Sequence, residues 1–255
     1  MVVTDDFVYI HIPKTGGTFV ETALRGVVQR RGAAYLDTST AVGRAELGAG
    51  KHGSVADLAA KHRDKPIVTT VRNPYDHLVS HYEFGWWRTH PGDVFDEESI
   101  RIEHPDYPEI SFHEYVVALY DFRMLDKTYT SAMKRALQEA DIGRRTIEYI
   151  RRLARQPDNV APLKPLDAPR ALAQATDGVH FLQCENLNRD LYEFLVTLGH
   201  PPERAQCVLE MERIYPYRPT RDPSRRWQEY YGPTLKELVR RKERAIFGTF
   251  PEYDV

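Results

Sequence analysis

An α/β fold with a central parallel sheet flanked by helices is what this sequence predicts, because a short β-rich run is followed by a helix three times along the chain. Phe7 to Ile12 leads into a helical pattern, Pro66 to Val71 leads into a second, and Val179 to Cys184 leads into a third. The 255 residues are 42% hydrophobic and 28% charged with a formal net charge of -2, which excludes disordered and collagen-like classes. That length suits one domain spanning 1–255, and neither an internal repeat nor a composition break divides it. No apolar run approaches the roughly 18 residues needed to cross a bilayer, and the opening MVVTDDFVYIHIP is too acidic for a signal peptide, so the expected address is the cytoplasm. Cys184 and Cys207 are too few for a disulfide framework or a thiolate metal cage.

Phe7 to Ile12 alternates as a strand, Pro13 to Thr18 forms a glycine-containing turn, and Phe19, Val20, Ala23, Leu24, Val27 and Val28 recur with helical period. A looser stretch from Gly43 to Gly53 precedes a short helical pattern over Val55 to His62 and the buried strand Pro66 to Val71. Asn73 supplies a cap and Pro74 fits the first helical position of a helix running to about Phe84. From Gly85 to Ile110 the pattern dissolves into Trp, His, Pro and acidic residues, a composition typical of lids and binding loops. Residues 85–178 therefore read as an acceptor-binding or lid insertion. Within it, Ser111 and Glu114 form a capping-box pattern before Tyr115 to Leu119, and helical stretches follow at Ser131 to Ala140 and Gly143 to Ala154. Pro157 to Pro169 reads as a connector, Val179 to Cys184 as a strand and Leu187 to Leu198 as an amphipathic helix; Pro202 to Arg213 and Arg225 to Ile246 read as helical.

Charge is unevenly spread. Asp93 to Glu114 is acidic, whereas Lys134 to Arg155 and Arg213 to Arg244 are rich in Arg and Lys. Near-zero net charge argues against a nucleic-acid partner, and the basic stretches read either as solvated helix faces or as local surfaces for an anionic partner.

The most informative segment is His11-Ile-Pro-Lys-Thr-Gly-Gly-Thr18. A strand ending in a tight turn that feeds a helix gathers backbone N–H groups around one point, which attracts an anion. Gly16 and Gly17 permit close approach, Lys14 adds positive charge, and Thr15 and Thr18 add hydroxyl donors. In a nucleoside-triphosphate loop, G-x-x-x-x-G-K-[ST], lysine follows the glycines; here it precedes them, so the segment is not a Walker A loop and carries no argument for a metal. A second segment, Val71-Arg-Asn-Pro-Tyr-Asp-His-Leu-Val-Ser80, places Arg72 at a strand end and Ser80 two turns into the next helix. Arginine grips phosphate in a bidentate fork, and serine adds a hydrogen bond. Each segment alone also reads as ordinary structure: a tight turn in one case, an arginine paired with a carboxylate in the other. Two anion sites on adjacent strand ends call for a ligand with two separate phosphates.

With both motifs in order, the chain resembles the sulfotransferases that use 3′-phosphoadenosine 5′-phosphosulfate, particularly the branch containing uronyl 2-O-sulfotransferases and bacterial carbohydrate sulfotransferases. Pro13 to Thr18 is similar to that family's 5′-phosphosulfate loop and Arg72 to Ser80 to its 3′-phosphate motif; Phe181 to Leu187 and the tail from Arg225 through Tyr230-Tyr231 to Tyr253 extend the likeness. The resemblance implies a P-loop-like sulfotransferase fold and transfer of a sulfuryl group to an acceptor hydroxyl, with adenosine 3′,5′-bisphosphate as product and no metal. Lys14 would stabilise the departing oxygen, Thr15, Gly16, Gly17 and Thr18 would hold the 5′-phosphate, and Arg72 and Ser80 the 3′-phosphate. Arg225 and Arg226, with Arg218 and Arg221, would close over the nucleotide or form a solvated charge run. His52, in Lys51-His-Gly-Ser54, is similar to the family's catalytic histidine; the uronyl enzymes have a second histidine where Ser54 stands here. Glu21 is the alternative base, and His11 reads as structural. Trp86, Trp87, Tyr107, His81, His90 and His104 offer either an acceptor platform or loop packing. The acidic bias of residues 93–109 disfavours a heavily sulfated acceptor and leaves a saccharide or another small hydroxyl compound as partner. The competing readings are a nucleotide kinase and a noncatalytic bisphosphate-binding module.

Overall fold

The computed structural model describes residues 1–28, 36–38, 43, 51–125, 129–155, 168–214 and 224–255. The chain divides into two compact units: 1–72, 151–155 and 176–218 form the first, and 73–150, 156–175 and 219–255 the second.

The first unit holds a single five-stranded sheet among the described residues, in the order β3-β1-β2-β4-β5. Its strands are β1 (Val2–Val3), β2 (Val8–Ile10), β3 (Leu36–Asp37), β4 (Ile67–Val71) and β5 (Val179–Gln183). The three expected strands form the parallel part: Val8 pairs with Ile67, Ile10 with Thr69, and Ile67 through Val71 with Val179 through Gln183. The sheet is nevertheless mixed, because β1 runs antiparallel to both β2 and β3. The reason lies in Thr4. Its Oγ1 accepts from the backbone N–H groups of Asp6 and Phe7 and donates to the Phe7 carbonyl at 3.0 Å, folding Val2-Val3 back on Val8-Tyr9.

Helix α1 (Gly17–Val27) follows β2 directly, as the sequence predicts. Its apolar stripe of Phe19, Val20, Ala23, Leu24 and Val27 packs with Tyr9, Val68 and Leu182 from the sheet, and with Leu191, Phe194 and Leu195 of a later helix over Leu187–Thr197, in one core. Between β3 and β4, Val55–Asp57 and Ala60–His62 form two 3₁₀ turns in place of the short helix expected. Leu58 and Ala59, both extended, separate them. The expected helix over Pro202 to Arg213 shortens to Pro202–Ala205 and a 3₁₀ turn at Gln206–Val208.

The second unit is helical among its described residues. Helix α2 (Pro74–Phe84) opens as expected, with Asn73 Oδ1 accepting from the Tyr75 N–H at 2.9 Å and Pro74 in the first turn; it ends at Gly85, which is left-handed at φ 68°. The stretch from Gly85 to Ile110, read as irregular, carries helix α3 (Trp86–Thr89), a 3₁₀ turn at Pro91–Asp93 and helix α4 (Glu97–Glu103). Asp96 caps α4 by accepting from the N–H and hydroxyl of Ser99, while Glu97 and Arg101 pair along it. Helices follow at α5 (Phe112–Tyr120), α6 (Ser131–Ala140), α7 (Arg144–Leu153, whose last residues count with the first unit) and α8 (Ala168–Ala175). The run Arg225 to Ile246 is not one helix. It breaks at Gly232, so that Pro233 takes the first turn of a helix ending at Lys242, the position a proline tolerates. Most of the Pro157 to Pro169 connector and of the Gly43 to Gly53 stretch lies outside the described residues. Among the described residues no helix is long and apolar enough to cross a membrane.

Candidate functional site

The loop between β2 and α1 has an unusual backbone. Lys14 is left-handed at φ 66°, a conformation that costs an L-residue about 1–2 kcal/mol, and Gly16 follows at φ 94°. Gly16 stands at the N-cap of α1 with no side-chain cap, and the first turn contains no acidic residue. The opening N–H groups of an α-helix have no intrahelical acceptor, so this end suits an anion. Both glycines are also required by packing. A Cβ on Gly16 would strike Leu187, and one on Gly17 would run into the imidazole of His11.

Two contacts from β4 hold the loop. Arg72, at the strand's end, donates from Nη1 to the Lys14 carbonyl at 2.9 Å. Thr15, fully buried, donates to the Ile12 carbonyl at 2.8 Å and lies 2.5 Å from the hydroxyl of Thr70. The Thr15 hydroxyl thus faces inward, and what the residue can offer an anion is its backbone N–H. Thr18 is half-exposed in the first turn of α1. Partial burial and the neighbouring Arg72 charge lower the Lys14 ammonium to about 8. The loop cation and the strand-end cation repel one another here, and an anion beside them would relieve that repulsion.

Beside the loop lies a cluster of titratable groups. His11 Nδ1 is 2.7 Å from Glu21 Oε1, both side chains being buried. Burial raises Glu21's affinity for a proton, but His11, the α-ammonium group and Lys51 outweigh it and hold the carboxyl below its ordinary range. Burial lowers His11 against the pull of Glu21, leaving a neutral imidazole. Since a carboxylate only accepts, the His11 proton sits on Nδ1. Glu21, buried, ionised and hydrogen-bonded, is poorly suited to serve as a base. His52 stacks edge-to-face on His11 with centroids 4.8 Å apart, and its Nδ1 lies 3.4 Å from the His11 carbonyl. That carbonyl favours the proton on Nδ1 and the basic lone pair on Nε2. Arg152 donates to the His52 carbonyl. Ser54, where the uronyl enzymes have a second histidine, is a structural cap: its N–H and hydroxyl both donate to Asp57 Oδ2, at 2.7 and 2.8 Å.

The first unit therefore assembles Lys14, Thr15, Gly16, Gly17, Thr18 and Arg72 around one loop, with His52 joined to it through His11. Ser80, half-buried on α2, and Arg225 and Arg226 belong to the second unit. Arg225 lies over the Tyr230 ring at 3.9 Å, and both arginines are exposed; Arg218 and Arg221 lie outside the described residues. The aromatic segment mostly packs inward. Trp87 and Tyr107 are buried beside Tyr115 and Phe95, and the Tyr107 hydroxyl donates to the Trp87 carbonyl. Trp86 is exposed, but His90 lies flat on it with centroids 3.5 Å apart.

Thr70 and Tyr9 are participants that the motifs do not reveal. Tyr9 OH lies 3.2 Å from Thr70 Oγ1, and all three hydroxyl residues are fully buried. The available signal is the threonine pair in the otherwise apolar strand Ile67-Val-Thr-Thr-Val71. Compared with family models, curated proteins and solved structures, the chain matches none.

Proposed function

We propose that this chain is a sulfotransferase that moves a sulfuryl group from 3′-phosphoadenosine 5′-phosphosulfate to an acceptor hydroxyl on a carbohydrate or carbohydrate-bearing small molecule. The observation that carries the reading is the pairing of Lys14, in the loop that leaves β2, with Arg72, at the end of β4, whose guanidinium holds the Lys14 carbonyl and, after burial, helps depress the lysine. The residues present fit a phosphate-type group: an uncapped helix start, the Lys14 cation in the loop before it and the Arg72 cation at the end of β4. A P-loop-like sulfotransferase fold is the finer reading of the single-sheet α/β architecture.

In this reading the acceptor oxygen forms a bond to sulfur as the bond from sulfur to the phosphate oxygen breaks. Adenosine 3′,5′-bisphosphate leaves, and the acceptor proton passes to His52 Nε2. Charge grows on the departing oxygen, so the catalytic task is positioning and electrostatic stabilisation, which fall to Lys14 and the amides of Gly16, Gly17 and Thr18. Arg72 serves the 3′-phosphate. The assignments of Ser80, Arg225 and Arg226 to the nucleotide rest on the sequence resemblance alone.

Calorimetric titration tests the reading directly. Adenosine 3′,5′-bisphosphate should bind more tightly than ATP with magnesium; equal or reversed preference overturns the sulfotransferase in favour of a kinase. His52→Ala should leave bisphosphate affinity nearly intact and cut turnover by roughly two to four orders of magnitude. Retained turnover would place the base elsewhere, whereas a parent protein that binds the bisphosphate but turns nothing over would be the noncatalytic module.

A further inference from the structure

We infer that Thr70 is a positioning residue for the anion loop, the middle link of a buried, one-way hydroxyl chain from Tyr9 through Thr15 to the Ile12 carbonyl. The direction follows from proton counting. A carbonyl only accepts, so Thr15 gives its proton to Ile12 at 2.8 Å. At its 2.5 Å contact with Thr70, Thr15 must then accept, and Thr70 is the donor. Having given its proton to Thr15, Thr70 accepts from Tyr9 OH at 3.2 Å.

Burial gives the chain its importance. Tyr9, Thr15 and Thr70 are each fully buried, and burial pushes the Tyr9 phenol well above its ordinary range, so Tyr9 remains a proton donor. A hydroxyl stranded in such a place costs more than a typical bond contributes, which favours this single arrangement. The pinned residue lies between the two left-handed positions, Lys14 and Gly16, and the Arg72 contact to the Lys14 carbonyl acts one residue away. Strand β4 thereby fixes the loop's shape twice, through Thr70 on Thr15 and through Arg72 on the Lys14 carbonyl. Thr70 itself touches no ligand in this scheme; it sets where the amides of residues 16–18 point.

The inference rests on the nucleotide reading above, and two measurements separate them. Thr70→Val keeps the branched shape and removes only the hydroxyl, whereas Thr70→Ser keeps the hydroxyl. Thr70→Val should weaken adenosine 3′,5′-bisphosphate about tenfold, while adenosine 3′-monophosphate, which lacks the loop's phosphate, changes by less than about twofold. Thr70→Ser should restore the parent affinity. In the unliganded proteins, amide hydrogens of residues 14–18 should exchange at least about tenfold faster in Thr70→Val than in the parent. Equal loss for both nucleotides, no loss for either, failure of Thr70→Ser to rescue, or unchanged loop exchange would each overturn the inference. Should Thr70→Val fail to fold, Thr15→Val, which removes the hydroxyl that Thr70 holds and keeps the backbone N–H, takes its place with the same expected directions. A parent protein that binds no bisphosphate defeats the nucleotide reading instead, and loop exchange alone then decides the role of Thr70.

Discussion

Lys14 combines a left-handed backbone, partial burial and a neighbouring guanidinium, and its titration is the most accessible consequence. Its ammonium loses its proton near pH 8 in the folded protein, against 10.5 ordinarily. Between those values the unfolded chain binds more protons than the folded one, so this group's contribution makes stability rise with pH across the window. A bound phosphate acts in the opposite direction by favouring the charged form. Bisphosphate affinity should therefore fall as pH rises from about 8 towards 10, with proton uptake on binding. Lys14→Met should bind more weakly and without that slope; a parent affinity flat from pH 7 to 10 would remove Lys14 from the anion site. The lysine's charge is legible in the sequence, but its φ is not, because nothing in Pro-Lys-Thr-Gly-Gly-Thr states which residues will turn left-handed. Thr15 illustrates the same limit. A hydroxyl next to two glycines reads as a ligand donor until the fold turns it towards Thr70.

Among the elements, the sequence is legible where one residue decides the outcome. The Asn73-Pro74 start and the Ser111/Glu114 box both form, the latter with Ser111 Oγ accepting from the Glu114 N–H at 3.3 Å and Glu114 Oε2 accepting from the Ser111 N–H at 2.7 Å. Ser111→Ala should cost about 1 kcal/mol of unfolding free energy in urea titration. Signals failed where apolar periodicity was weak: α4 begins on an Asp96 cap inside an acidic, proline-flanked stretch, and β1 is a two-residue strand made by a turn. One cap is not local in sequence at all. Glu243, fully buried, accepts from the N–H groups of Arg145 and Thr146 at the start of α7, from the Thr146 hydroxyl and from Tyr120 OH. Burial raises its pKa above 4.5 despite those donors. The folded state therefore holds this proton more tightly, so its contribution is fully present below 4.5 and is lost as pH rises through the folded value. Relative to Glu243→Gln, the parent should gain stability on acidification from pH 7 towards 5. Parallel stability profiles for the two proteins would refute the assignment.

For the molecule as a whole, the parallel strands β2, β4 and β5 were legible because each is a short β-rich run with its helix signal next in sequence. The division of the chain at 72/73 was not, since the second motif runs across it without any change in composition. A ligand that binds only the folded chain adds RT ln(1 + [L]/Kd) to its stability, about 2.7 kcal/mol at a hundredfold excess over Kd. Adenosine 3′,5′-bisphosphate at that excess should raise the melting temperature, and an unmoved transition would contradict specific binding. The left-handed turn at Lys14 and Gly16 is held by the protein's own groups, Arg72 on the Lys14 carbonyl and Thr70 and the Ile12 carbonyl on Thr15. Capture should accordingly resemble a key entering a cut lock: in stopped-flow mixing, the observed rate should climb in direct proportion to nucleotide concentration, with no plateau to betray a slow rearrangement.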